Sequence, residues 1–440
     1  MLGFLPDWKA KPNAIGDPFP DPSSAGCSIR RLSGALSFST FNLLFPSVYN
    51  GTMGETPVVL DTERQERADQ YARIRRRLWA INLLLNGLYL GLWAGLGWAV
   101  EVRQAITPYA ADVLGSTPPW WVELILFAAI LFGPWTVLTL PLDYYSGYIL
   151  PHRFGLSTQS LRGWLSDMIK GAVLGMIIGT PLLIAFYSTI RFDPKSWWIW
   201  AAGGYTLVTA VLATIAPILL MPIFFKFKPL GEEHSELAER LTLLARSAGT
   251  HVRGVFTFDM SRRTRAANAA LVGLGRTRRI ILGDTLLSEF TLDEIETVMA
   301  HELAHHAHKD ILLSLAIQTS FNFLAFYLSA VMLNWTVHQA SLTRADDPAG
   351  LPFIALLLGL LSLLAMPITN AFSRWRESMA DDYALEVTHK PMPFASAMTR
   401  IANQNLAEVD PERWVVLLLY SHPPLKSRIE KAQRFSSSTV

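Results

Sequence analysis

The sequence predicts a mainly α-helical polytopic membrane protein with a smaller polar α+β domain, and three observations carry that prediction. Of 440 residues, 51% are hydrophobic and only 17% charged, with a positive mean hydropathy; an ordinary water-soluble chain of this length is less apolar. About six apolar runs are each long enough, at about 20 residues, to cross a ~30 Å hydrocarbon core. Two polar tracts, Lys226 to Asp310 and Ser373 onward, interrupt and follow those runs.

Residues 1–60 scatter Pro, Gly and Ser without periodicity and are expected to be poorly ordered or interfacial. Within them Leu36 to Tyr49 is too short and too rich in Ser, Thr and Asn to span, and Met53 offers an alternative start. No charged segment leads into an apolar core and a small-residue cleavage site, so no cleavable signal peptide is evident. The expected spans are Leu78 to Val100, Trp120 to Pro141, Gly171 to Ile190, Trp197 to Phe225, Ile311 to Val337 and Leu351 to Phe372. This divides the chain into a membrane domain over 61–226 with four spans and a second domain over 227–440, interrupted at 311–337 and 351–372.

With that arrangement, the loops on one side hold only Arg103, Arg191, Lys195 and Arg344, while Arg73, Arg75, Arg76 and Arg77 precede the first span on the other. Cytoplasmic loops collect Lys and Arg, so both polar tracts are expected in the cytosol. A net charge of +2 gives no reason to invoke nucleic acid. Arg262, Arg263 and Arg265 are expected to lie solvated. Cys27 is the single cysteine, which excludes an intramolecular disulfide and a cysteine-based zinc site.

Directly before the fifth run stands His301, Glu302, Leu303, Ala304, His305, an HExxH pattern. Residues four apart share a helix face, so both imidazoles can reach one metal ion, with Glu302 beside them as general base toward a water. Chance places this pattern in on the order of 1% of chains this long, so context decides. Thr291 with Glu294 forms a capping box, and Leu292, Ile295, Val298 and Met299 follow at helical spacing, which puts the motif inside a helix. That helix is expected to run almost straight into the span at Ile311.

A zinc site needs a third protein ligand and an open position. His308 lies two turns from His301, ~10 Å along a straight helix, too far to share the ion. Glu377 and Asp381, one turn apart after the last span, suit a ligand carboxylate and a carboxylate that orients a ligand imidazole.

These residues resemble the type I CAAX prenyl proteases, integral membrane zinc metalloproteases of the gluzincin type. The segment from Glu377 to Asp381 is similar to that family's ExxxD element. Asn268, Ala269 and Ala270 resemble its edge strand, the run Arg279 to Leu286 the strand entering the HExxH helix, His422 to Ile429 its HPPxxxRI element, and Pro151 to Ser157 with Trp164, Asp167 and Lys170 its membrane domain. The resemblance implies a zincin-like α+β catalytic domain, one Zn2+ per chain on His301, His305 and Glu377, support from Asp381, and substrate β-augmentation at Asn268, Ala269 and Ala270. It departs from eukaryotic members in having six expected spans rather than seven, and in lacking an aromatic pair after Asn268.

On this reading Glu302 moves the proton, and His422 or Arg428 stabilises the oxyanion or holds a substrate carboxylate. The expected activity is a membrane zinc endopeptidase acting on prenylated or membrane-tethered peptides at the cytosolic face. Two alternatives are a bacterial membrane-protein quality-control protease and a transporter or scaffold with a structural metal. The expected partners are a peptide or protein substrate and the lipid bilayer, with the chain a monomer. A bacterial inner membrane is the expected location, or the endoplasmic reticulum in a eukaryote.

Overall fold

The computed structural model describes residues 58–438 apart from Leu274, Ala340 and Ser341. The expectations for Leu36 to Tyr49, Cys27 and Met53 lie outside the described residues.

Helix α1 (Thr62–Gly95) starts where the Asp61 carboxylate accepts the Arg64 backbone N–H, satisfying one of the donors that a helix start leaves free. It ends earlier than the expected span to Val100. Gly97 adopts φ +78, a left-handed conformation that glycine enters without penalty. There the chain breaks and starts a separate helix, α2 (Trp98–Leu114). Helix α3 (Trp120–Tyr144) continues through a π turn at Tyr145–Ile149 to Arg153. Helix α4 (Leu161–Phe192) and helix α5 (Trp197–Ile215) follow, the latter prolonged through a second π turn, Ala216–Leu220.

The first polar tract builds a four-stranded sheet. Strands β1 (Phe227–Pro229), β2 (Val255–Phe258), β3 (Ala269–Val272) and β4 (Arg279–Gly283) lie in the order β1-β2-β4-β3; only β2 and β4 are parallel, and β3 is an edge. Helix α6 (Ser235–Ser247) joins β1 to β2, α7 (Asp284–Glu289) follows β4, and α8 (Leu292–Ala307) carries the HExxH motif. Ile280, Leu282, Ile295, Met299 and Leu303 meet Leu237 and Leu241 in one buried core. Apolar burial there fixes α8 against the sheet.

Helix α9 (Asp310–Gln339) and helix α10 (Leu351–Thr388) return through the membrane half, and α11 (Pro391–Asn405), α12 (Arg413–Leu419) and α13 (Leu425–Ser438) complete the polar half. Phe394, Met398 and Ala432 from this last group enter the same core as α8. The two polar tracts therefore share one core.

Among the described residues, six helices are long and apolar enough to cross a membrane, in the same regions as the six expected runs. Leu84, Val137, Ile177 and Leu207 are each more than 60% exposed on them; large apolar side chains displayed on helices of this length face lipid.

The membrane half grips the polar half close to β3. Asp167 accepts two hydrogen bonds from Arg263, at 2.8 and 3.0 Å, and Arg263 lies over the Phe225 ring at 4.7 Å. This corrects the expectation of a solvated Arg263: Asp167, on α4, neutralises it. Arg262 and Arg265 are exposed, as expected.

Candidate metal centre

Helix α8 begins with the expected capping box, Thr291 and Glu294 each bonding the other's backbone N–H. Because Ile295, Val298, Met299 and Leu303 are committed to the core, the helix turns His301 and His305 away from it, while Glu302 stands one turn beyond Val298. Helix α10 packs beside α8 and brings in Glu377 and Asp381, both buried.

His301 Nε2 lies 3.1 Å from Glu377 Oε2, and His305 Nε2 lies 3.4 Å from Glu377 Oε1. The other ring nitrogens point away from Glu377 to separate carboxylates: His301 Nδ1 is 2.9 Å from Asp381 Oδ1, and His305 Nδ1 is 2.8 Å from Asp310 Oδ2. Each of these aspartates is held by an arginine. Arg428 donates to both oxygens of Asp381, at 2.6 and 2.9 Å, and Arg376 donates to Asp310 Oδ1 at 2.7 Å. An acceptor at Nδ1 favours the tautomer that leaves a lone pair on Nε2. Two such lone pairs then face a carboxylate.

That donor set fits a divalent cation. One ligand atom each from His301, His305 and Glu377 lie within 4.8 Å of one another. Glu377 Oε2 is buried and makes no hydrogen bond, an arrangement that is costly unless a cation satisfies it. Burial disfavours charge on His305, but Glu377 and Asp310 outweigh it and lift its pKa to about 9, so the site draws positive charge. Burial also raises the Glu302 carboxyl above the ordinary range, against the opposing pull of His301 and His305. Among the described residues Glu302 has no ion-pair partner, which leaves it available to a water.

The remaining expected residues divide. The His422 ring is 57% exposed and its Nε2 is 3.7 Å from Glu377 Oε1, on the open side of the site. Arg428 is buried and bound to Asp381, with Nη2 3.3 Å from His301 Nδ1. Its guanidinium braces Asp381 and the His301 ring. The Asn268 carbonyl accepts the Gly283 N–H at 2.9 Å, and its side chain is exposed at the head of β3. By antiparallel alternation, the backbone groups of Ala269 and Leu271 then point outward from the sheet, and those of Ala270 point toward β4.

Two residues of the site escape sequence reasoning, Asp310 and Arg376. The HExxH helix does not run straight into the membrane as expected: it ends at Ala307, and Lys309 turns with φ +56 before α9 begins. That turn swings Asp310 back onto His305. The only sequence signals were an acidic residue at a span boundary and an arginine directly before Glu377. His308 packs against the Tyr383 ring at 5.5 Å, apart from the three ligand candidates.

Residues 232–436 match the family model described as Peptidase family M48, and residues 55–226 match one described as CAAX prenyl protease N-terminal, five membrane helices. Within the second stretch this chain has four helices of spanning length, with the shorter α2 between the first two. It is 28% identical over 396 residues to an uncharacterized metalloprotease, YhfN, of Bacillus subtilis, covering 88% of this chain and 90% of that protein. It is 29% identical over 350 residues to CAAX prenyl protease 1 of Saccharomyces cerevisiae, covering 75% and 76%. The crystal structure of S. mikatae Ste24p has the same fold, with a TM-score of 0.75 at 24% identity over 86% of this chain and 91% of that one.

Proposed function

This chain belongs to peptidase family M48 as a membrane-embedded, CAAX prenyl protease-like metallopeptidase, and on that premise we propose that His301, His305 and Glu377 hold one zinc ion and that Glu302 serves as the general base. The family match sets aside a transporter or a scaffold with a structural metal. It also favours the CAAX type of protease over broad-specificity quality control.

The observation that carries the assignment is the pair of inward Nε2 atoms facing a buried Glu377 oxygen without a hydrogen bond. Two imidazoles and one carboxylate suit zinc among the divalent ions. Zinc, when bound, supplies Lewis-acid polarisation of a peptide carbonyl and acidifies water. The protein residues do the rest. Asp381 and Asp310 fix the two imidazoles; Glu302 takes a proton from the attacking water and delivers it to the departing amine. His422, on the open side, donates to the developing oxyanion. Substrate backbone pairs with the outward groups of Ala269 and Leu271, and the Asn268 side chain sets its register.

We place this site in the cytosol, on the cation-rich side of the membrane. The working unit is the monomer, because one chain holds the full ligand set. Its two domains are 61–226 and 227–440. The Bacillus subtilis relative supports a bacterial cell membrane. Both helices that bring ligands to the centre adjoin or enter the bilayer, which suits prenylated or membrane-tethered peptides.

The test is cleavage of a farnesylated CAAX peptide beside its unprenylated twin by detergent-purified protein, with Glu302→Gln as the blank. Preferential cutting of the farnesylated peptide, absent in the blank, is the expected result. Equal cutting would refute the prenyl preference, and no cutting of either by zinc-loaded protein would refute peptidase activity at this site.

A further inference from the structure

His422 is held differently from His301 and His305. Those two rings are each fixed by a buried aspartate, whereas the His422 ring is exposed and, among the described residues, makes one hydrogen bond, with Ser421 Oγ at 3.2 Å. A side chain with so few partners stands where its backbone puts it. The bonds that fix that backbone therefore decide whether the imidazole reaches the open side of the site.

Those bonds converge on Glu408 and Val409, in the loop between α11 and α12. Glu408 is buried, and its Oε2 accepts both Arg76 Nη1 from α1 and the Tyr420 hydroxyl, each at 2.5 Å. The Val409 carbonyl accepts the Lys426 N–H at 3.1 Å. Two adjacent residues thus bind the chain on either side of His422, and between those points Pro423 and Pro424 restrict the backbone further. Tyr420 is also held at its carbonyl, which accepts Arg374 Nη1 at 2.6 Å; Arg374 lies one turn before Glu377 on α10. A carboxylate is costly to bury, and charge-assisted bonds from a guanidinium and a hydroxyl offset that cost at Glu408.

We propose that Glu408 is a positioning residue for the peptidase reaction: by anchoring the Tyr420 hydroxyl against Arg76, it sets the place of the His422 imidazole on the open side of the metal centre. This rests on the reading of His422 as the oxyanion donor. Among the described residues Glu408 makes no bond to His301, Glu302, His305 or Glu377, so its effect falls on the rate of the chemical step and leaves zinc and ground-state substrate binding alone. Because Arg76 belongs to α1, the place of His422 is tied to the first spanning helix as well as to the peptidase core.

The test is steady-state cleavage of a farnesylated CAAX peptide by detergent-purified, zinc-loaded protein. Glu408→Ala and Tyr420→Phe should each lower kcat about tenfold, less than the roughly 10²-fold that a ~1 Å displacement can cost, with KM and zinc stoichiometry unchanged. Glu408→Gln still accepts the Tyr420 hydroxyl and should recover part of the loss. Asp410→Ala, exposed on the same loop, should change nothing. In a His422→Ala background, adding Glu408→Ala or Tyr420→Phe should cost no further activity, because residues that act as one unit are not additive. A nitroxide attached through His422→Cys in Cys27→Ser protein reads the placement without turnover, and Glu408→Ala and Tyr420→Phe should both free its motion.

Losses that multiply in the His422→Ala background would overturn the proposal, since Glu408 would then act apart from His422. So would full kcat in both Glu408→Ala and Tyr420→Phe while His422→Ala loses it, or a nitroxide whose motion neither variant changes. A kcat that His422→Ala leaves intact, beside a nitroxide freed by Glu408→Ala and Tyr420→Phe, would sustain the anchor and refute the oxyanion role of His422 instead.

Discussion

At the scale of single residues, His301 and His305, the proposed ligands, are positioned by the same sequence of contacts: imidazole, aspartate, arginine. Asp381 and Arg428 serve His301, and Asp310 and Arg376 serve His305. Asp310→Ala strips His305 Nδ1 of its acceptor and leaves Arg376 buried without an anion. Loss of the outer partner of a ligating histidine costs roughly 10–100-fold in metal affinity, and breaking a buried ion pair from one side costs about 3–5 kcal/mol. A chelator competition should therefore show weaker zinc binding by that factor together with a lower Tm. Asp310→Asn, which keeps an oxygen facing His305, should recover part of the zinc affinity, and unchanged affinity in Asp310→Ala would refute the role. Glu302→Gln provides the contrast: the peptidase rate falls by about 10²–10⁴-fold while zinc stoichiometry, read by elemental analysis, stays at the wild-type value. His301, Glu302 and His305 were legible in the sequence because a helix brings residues four apart together by local geometry alone. Asp310 was not, because its approach depends on a left-handed turn at Lys309, and no residue type there announces one.

At the scale of elements, β3 is one of the two edges of the sheet and packs against α8, the helix that carries the HExxH motif. Strand addition alternates: every second substrate amide bonds to the template and the others face away. A set of peptides each N-methylated at a single amide should lose cleavage at alternating positions, through KM, as measured by product formation on otherwise identical sequences. A uniform loss along the peptide, or none, would exclude β-augmentation at β3. The edge itself was read from a motif resemblance, whereas its anchoring was not. Asp167 and Arg263 are separated by 96 positions, and a long-range pair of this kind leaves no periodic trace. The same limit explains the first span. Apolar composition runs on from α1 into α2, and only the backbone conformation at Gly97 divides them.

At the scale of the whole molecule, charge is distributed unevenly between the two ends of the helices. Composition and run length made the six spans readable, because a hydrocarbon core imposes one length and one polarity on everything crossing it. The end away from the metal centre has few cations, and the structure shows most of them tied to carboxylates. Arg191 and Arg344 pair with Asp346, and Arg103 lies 3.4 Å from Asp347. The end bearing the metal centre keeps Arg75 and Arg77 without an ion-paired carboxylate among the described residues. Orientation follows the excess of Lys and Arg near the ends of the spans, so the metal centre should face the cytosol. In a Cys27→Ser background, a cysteine at Lys195, exposed between α4 and α5, should react with a membrane-impermeant maleimide in intact cells. A cysteine at Glu289, exposed at the end of α7, should react only after lysis. The reverse pattern would place the metal centre outside the cell and remove cytosolic peptides from its reach. The expected pattern would confine its substrates to chains presented at the inner surface of the membrane.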